Sequence, residues 1–404
     1  MNKEKIGIPK LRFPGFTGAW EQRKLGDYLS IPTKEPITNI NELKLMTLKL
    51  NLEGITLTAN RETLKLGATK YYKRHEGQLL YGKQNFFHGS IALIPKEAEG
   101  YATSGDVPAL NISNINNKYL VDYISRPIYF EAKEALATGT GSKRIHEKTL
   151  FNFKIAVPSS EEQSEISNFI AKYTNLIALH QRKLEHLKQQ KNGLLQKMFP
   201  KSGESVPEVR FPGFTDSWEQ RKLGEVATFS KGTGYSKQDL ESDGTPIILY
   251  GRMYTNYELV IHSVNTFTTA KEKSIYSNGG EVIVPASGET AEDISVASVV
   301  EQANVILGGD LNIIHTNKNV EPVFLALSIT NGEPHKDMAK RAQGKSVVHL
   351  HNSDLAQIKL SYPSKDEQKK IDSYFLKFDS LIALYQRKQN WTANFLIVHI
   401  VIFK

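Results

Sequence analysis

One feature limits what this chain can fold into more than any other: it is written twice. Residues 11–26, LRFPGFTGAWEQRKLG, return as residues 209–224, VRFPGFTDSWEQRKLG, with thirteen of sixteen positions identical. A second pair, LIALHQRK at 176–183 and LIALYQRK at 381–388, agrees at seven of eight. Between these brackets, residues 27–155 and 225–360 have similar lengths and different content. A period near 200 residues is too long, and two copies are too few, for a solenoid. The pattern predicts a duplicated domain followed by a duplicated helix, with a variable insert inside each domain.

Each insert closes on a strand-like run and a proline, FNFKIAVP (151–158) and AQIKLSYP (356–363). Helix start signals follow. Ser159 with Glu162, and Ser364 with Glu367, fit a capping box. The repeated pairs Glu162-Gln163 and Glu367-Gln368 also place an acid where the helix dipole favours one. From there the first copy runs to about Met198 without proline, its seam residues spaced by alternating fours and threes. Ile166, Ile170, Tyr173, Ile177, Leu184 and Leu187 lie on that seam, with His180 and Lys191 as its polar members. A sustained 3.5-residue repeat predicts a coiled coil; a long amphipathic helix packed on a globular domain is the alternative. At 1.5 Å per residue such a helix is about 58 Å long, a ruler on the scale of one and a half DNA turns.

The second copy keeps this register through Ile371, Phe375, Phe378, Ile382 and Tyr385, then places Gln389 and Thr392 where Leu184 and Leu187 stood. Its tail, NWTANFLIVHIVIFK, is apolar and β-branched and reads as closer to a strand than to a helix. That points to a shifted frame or a diverged terminus after about Lys388, or to a real helix with an unusual apolar end.

Both inserts alternate apolar runs with glycine turns, interrupted by short helical stretches at 126–138 and 321–330, so each predicts a compact α+β domain. Near the end of each comes a glycine-rich basic loop, Gly139-Thr140-Gly141-Ser142-Lys143-Arg144 and Gln343-Gly344-Lys345-Ser346. Small residues let a backbone approach phosphates, and the cations neutralise them; a plain surface turn is the alternative. The second loop is not a P-loop, because Ala339 stands where that motif requires its first glycine. Other turns carry Arg74, Lys83 and Gln84 in the first insert and Tyr235, Lys237, Arg252 and Ser287 in the second. Arg, Lys and Gln are among the side chains that read base edges, though each of these can equally be a solvated loop residue.

The 404 residues carry a formal charge of +8, consistent with a polyanionic partner, and no cysteine, which removes disulfides, thiolate nucleophiles and cysteine-based zinc sites together. No stretch is apolar enough to suggest a membrane span, and residues 1–10 lack the apolar core of a signal peptide. Metalloprotease, nucleophile-elbow, Walker and dinucleotide motifs are missing, as is the Asn/Asp-Pro-Pro-aromatic motif of amino methyltransferases.

The twin RFPGFT…WEQRKLG segments, the helix openings after each proline and the LIALxQRK helices together resemble the specificity subunits of type I restriction–modification systems. In the second insert PASGETAED, LGGDLNII and AQGKSVVHL add to the resemblance, which covers nearly the whole chain. It implies an α+β chain of two target-recognition domains with strand-rich cores, separated by two long antiparallel coiled-coil helices in a pseudo-two-fold repeat. The expected divisions are 1–158, 159–200, 201–363 and 364–404. Each domain would read half of a bipartite site in double-stranded DNA. Two modification subunits would dock on the helices and methylate adenine with S-adenosylmethionine, and restriction subunits would translocate and cut. Cofactors (S-adenosylmethionine, ATP, Mg) would sit on those partners and none on this chain, in a bacterial cytoplasm. The competing expectations are an enzyme with its own nuclease or methyltransferase, a coiled-coil interaction scaffold, and an inactive relic.

Overall fold

The computed structural model describes residue 9, residues 11–57, 69–139 and 142–344, and residues 347–402, with side chains through 396. The chain divides into two compact units, Met1–His180 with Arg387–Lys404, and Gln181–Gln386.

In the first unit the bracket strand Glu21–Lys24 pairs antiparallel with Lys154–Val157 at the far end of the insert. Between them a four-stranded antiparallel sheet runs in the order Leu29–Ser30, Ala109–Ile112, Leu79–Tyr81, Ile91–Leu93. Helices Asn117–Ile124, Pro127–Phe130 and Glu147–Phe151 cover it, burying Leu79, Tyr81, Phe86, Leu110, Leu120 and Leu150 in one core. In the second unit the strand Glu219–Lys222 pairs with Lys359–Tyr362 in the same way. Its insert holds a five-stranded sheet, ordered Ala227–Lys231, Leu311–Thr316, Glu281–Pro285, Ser298–Val300, Val260–Ile261. Glu281–Pro285 is buried along its whole length, as a central strand covered on both faces should be. The two inserts therefore reach an α+β core by different sheets.

What recurs is the bracket. Arg12 donates through Nε and Nη2 to both carboxylate oxygens of Glu162 (2.7 and 2.7 Å), and Arg210 does the same to Glu367 (2.6 and 2.7 Å). Gln163 accepts from the backbone N–H of Asn116 at 2.9 Å, and Gln368 from that of Glu321 at 2.8 Å. Asn116 and Glu321 each open an insert helix, so each glutamine fastens a long helix to its own domain. Trp20 packs edge-on against Tyr119 and Trp218 against Phe324. At Gly26 and Gly224 a Cβ would press to 3.0 Å from Phe151 and 3.1 Å from Ala356, so a larger residue would require those neighbours to shift.

These contacts correct the capping-box expectation. The Ser159 hydroxyl does accept from the Glu162 N–H at 3.3 Å, but the Glu162 carboxylate does not reach back to the cap. Both acids, at 0% and 1% exposure, are engaged by arginines of the RFPGFT segments. A buried carboxylate needs a charged, hydrogen-bonded partner more than a helix terminus needs a second capping bond.

The long helices span Ser160–Met198 and Lys365–Ile402. Each compact unit takes part of both. In the first unit Phe395 packs on Phe169 and Tyr173, with ring centroids 6.2 and 4.9 Å apart. In the second, Lys191 ion-pairs with Asp379. The seam expected at Ile166, Ile170, Tyr173, Ile177, Leu184 and Leu187 is buried or half-buried at every position, as is Ile371, Phe375, Phe378, Ile382 and Tyr385.

The strand-like reading of the tail is overturned. The helix continues past Lys388, and its register with it: Gln389 is half-buried, and Thr392 and Leu396 are buried. Thr392 satisfies its hydroxyl on the Lys388 carbonyl one turn back at 2.7 Å. Trp391 stacks on Phe395 at 5.3 Å. Packing on Phe169 and Tyr173 outweighs the weak β preference of the branched residues.

One seam-side group is out of keeping. Asp372 is 9% exposed and stands 205 positions after Ser167, with Oδ1 lacking a partner among the described residues. Burial and the nearby Glu321 charge push its carboxyl up to about 8, against a backbone bond from Phe324 that lowers it.

Two predictions follow from this architecture. Arg210→Met, which strands Glu367, should cost about 3–5 kcal/mol in urea unfolding, and the double variant with Glu367→Met should recover most of it; equal losses in both would contradict the pair's role. The raised Asp372 value means that its neutral form stabilises fully below about pH 4 and that this contribution is lost as pH rises through about 8. Asp372→Asn should therefore flatten the fall in urea midpoint between pH 5 and pH 9, and an unchanged fall would exclude Asp372 as its source.

Candidate nucleic-acid interface

In both units the segment after a central strand meets the glycine-rich loop that ends the insert. In the first unit Thr138 and Arg144 exchange backbone bonds at 3.0 and 2.8 Å, closing that loop as a tight hairpin. In the second, Gln343 and His349 do the same at 3.1 and 2.8 Å. The two closures are 205 positions apart, the same offset that separates the LIALxQRK helices. Gly139 (φ +125°) and Gly344 (φ +143°) occupy the same place in each, where a Cβ would lie 2.4 Å from the Ser142 carbonyl oxygen and 1.9 Å from that of Val347. Only glycine fits such a backbone without displacing the loop.

The next residue anchors each loop. Ile145 N–H donates to the Lys83 carbonyl at 2.8 Å, and Leu350 N–H to that of Ala286 at 2.9 Å. Both anchor side chains are fully buried. Ser287–Gly288 also pairs with Val348–His349 as a short ladder. Each unit thus presents one composite edge built from two loops.

On the first edge the structure brings together Lys83, Gln84, Ser142, Lys143 and Arg144. The Gln84 amide, oriented by this network, accepts from Arg144 Nε and Nη2 at 3.1 and 2.6 Å. Arg144 also reaches Asp106 at 3.4 Å, Lys83 pairs with Glu147 at 2.9 Å and Lys143 with Glu134 at 2.7 Å. Ser142 and Lys143 are exposed. On the second edge Gln343 is exposed, while Ser287 is buried and contributes through its backbone, its carbonyl accepting from Tyr254 Oη at 2.9 Å. Lys345 and Ser346 lie outside the described residues.

Three expected readers turn inward instead. Arg74 is 6% exposed, and its guanidinium bonds Thr103 Oγ1 at 2.8 Å and the carbonyls of Ser104 and Val107 at 3.3 Å. Burial lowers its pKa to about 10, which leaves it charged. Tyr235 is 7% exposed, its hydroxyl accepting from Lys271 N–H at 2.7 Å and bonded to Ser274. Arg252 is held by Glu258 at 2.6 Å and the Ser263 carbonyl at 3.2 Å. The two guanidiniums donate to hydroxyl, carbonyl and carboxylate acceptors of their own units, and the Tyr235 hydroxyl is taken up by a backbone N–H and a serine. Lys237 is exposed on the turn Lys237–Asp239. Sequence reasoning missed His349 and the shared glycine geometry; aligning the two loops at an offset of 205 would have shown both.

Exposed amide, hydroxyl and cationic donors on a two-loop edge suit hydrogen bonding to nucleic acid. Among the described residues no cluster of His, Asp or Glu could hold a metal ion, and no helix is long and apolar enough to cross a membrane.

Two α+β units that repeat their bracket contacts and differ in their sheets and loop edges define a class of duplicated binding proteins. The chain belongs to the type I restriction modification DNA specificity domain family, whose model matches residues 18–189 and 215–391. It is 20% identical to the type I restriction enzyme MjaVIII specificity subunit of Methanocaldococcus jannaschii, over 92% of this chain and 88% of that one. The fold is similar to that of the type I restriction–modification S subunit from M. genitalium, at a TM-score of 0.60 and 13% identity over 98% of both chains. A chain solved in work on complex assembly and conformational transition of the type I R-M system gives 0.52 and 15% identity, covering 95% of this chain and 96% of that one.

Gly139→Ala should open the first loop: the Arg144 amide should lose hydrogen-exchange protection while core amides at Leu79–Tyr81 keep theirs. Retained protection at Arg144 would show that the closure does not need glycine.

Proposed function

We propose that this chain is the DNA-specificity subunit of a type I restriction–modification complex. Each composite edge reads one half of a bipartite site in double-stranded DNA. The observation that carries the reading is the contrast within each unit: bracket contacts repeat residue for residue, while the edges they support present different side chains. That is the arrangement expected of one scaffold carrying two different readers.

The two long helices form an antiparallel pair that joins the readers in a pseudo-two-fold arrangement. The Lys191–Asp379 pair and the Phe169–Phe395 contact support this, since residues late in one helix meet residues early in the other. Two modification subunits dock on this pair and carry S-adenosylmethionine; restriction subunits carry ATP and Mg. This chain supplies no catalytic residue and binds no cofactor, and the complex acts in the cytoplasm. Linking two weak readers raises the effective concentration of the second contact. Single-base discrimination of about 1–3 kcal/mol per mismatch then adds across both half-sites.

The inactive-relic alternative loses its ground, because the terminus that suggested a shifted frame continues the helical seam through Leu396.

The test is to purify the chain with its modification subunits, add S-adenosylmethionine and DNA, and map methylated adenines. A gapped two-part site is expected, with no transfer by the chain alone. Gln84→Ala with Arg144→Ala should relax one half-site only. Methyl transfer by the chain alone, or an ungapped site, would refute the proposal.

A further inference from the structure

The strand pairing places lysine opposite lysine in both units. Lys24 faces Lys154 across the antiparallel pair of the first unit, and Lys222 faces Lys359 at the same register in the second. All four are exposed, and none makes an ion pair among the described residues. Like charges directly opposite on a two-stranded ladder repel. The structure holds them there rather than relieving them: the Lys24 ammonium donates to the Asn152 amide oxygen at 3.1 Å, and that of Lys222 to Gln357 at 2.7 Å. A neutral amide positions an ammonium without neutralising it. Packing does not require the arrangement, because all four residues of each bracket strand are exposed.

Each lysine pair is connected to its reading edge through one short helix. Asn152 directly follows the five-residue helix Glu147–Phe151, whose first residue pairs with Lys83 of the first edge. Gln357 follows the five-residue helix Asn352–Ala356, which begins three residues after His349. Such a helix is about 7.5 Å long. A duplex lying on either edge carries a phosphate every 3.4 Å or so along each strand, so the backbone passes within lysine reach. In the second unit Lys359 also lines a polar cleft of about 430 Å³, whose walls carry Lys201, Lys340 and Arg341 together with Glu204, Glu333 and Asp337, the last paired with Arg341. The buried Ser328 hydroxyl lines the same cleft and has no hydrogen-bond partner among the described residues.

We propose that Lys24 with Lys154, and Lys222 with Lys359, are two identical clamps for the phosphodiester backbone of duplex DNA, setting the register of each reading edge. The inference rests on the DNA-reading function above. It explains why this surface repeats while the edges differ: bases change between half-sites, and the backbone does not. An acidic protein surface is the competing occupant.

The experiment uses the chain bound to its modification subunits and fluorescein-labelled 30-base-pair duplexes of unrelated sequence, with anisotropy read across a KCl series. Lys24→Gln with Lys154→Gln, and separately Lys222→Gln with Lys359→Gln, should each lower the slope of log affinity against log salt by about two, since each phosphate contact contributes about 0.9. All duplexes should weaken by the same factor, the methylated site should stay the same, and arginine at these positions should restore the slope. The melting temperature should hold or rise, since a repulsion is removed, which separates lost binding from lost folding. An unchanged slope against a salt-dependent wild type would overturn the clamp alone, and so would loss of modification-subunit binding with the slope intact. A wild-type complex without salt-dependent retention would overturn the DNA-reading function itself.

Discussion

The structure depends on a bidentate arginine–carboxylate pair buried where each long helix leaves its domain. Arg12 on Glu162 and Arg210 on Glu367 join segments 150 and 157 residues apart. A buried ion pair of this kind adds little net stability, because desolvation offsets most of the attraction. Its value lies in directionality. Two parallel N–H···O bonds fix the helix start against the domain more tightly than apolar contact alone would. The adjacent glutamine, bonded to the N–H that opens an insert helix, adds a second fixed point.

With the helix start fixed, the insert is free to vary. One unit builds a four-stranded sheet and the other a five-stranded one, yet both end in a glycine-closed loop anchored beside a central strand. The loop closure needs only a glycine at positive φ and a buried residue after the hairpin, Ile145 or Leu350. Everything between those two demands can change without disturbing the scaffold. The separation of fixed frame from variable edge is a property of the packing, and it lets one fold carry two different readers.

How much was legible in the sequence follows from the range of each interaction. Helical periodicity is local, so the seam through Tyr385 could be read directly. The tail could not: Phe395 looks β-prone until Phe169 and Tyr173, more than two hundred residues earlier, supply its partners, with Trp391 stacked on it within the same helix. Glu162 and Glu367 looked like capping residues because Arg12 and Arg210 are distant in sequence, although the repetition of both charges was visible. The edge at Lys83, Gln84 and Ser142–Arg144 was picked out by composition. The same composition also picked out Arg74, Tyr235 and Arg252, whose polar atoms are engaged by neighbours within their own unit. Exposure depends on the whole fold, and residue type alone does not report it.

The central claim is that each insert reads its own half-site from a shared frame. An insert exchange tests it most directly: residues 27–153 are replaced by the corresponding insert of another family member, keeping Arg12, Glu162 and the bracket strand, and methylated adenines are mapped with the modification subunits present. The account predicts that one half of the target changes, while the other half and the gap between them stay the same. A change in both halves, or in the gap, would contradict it.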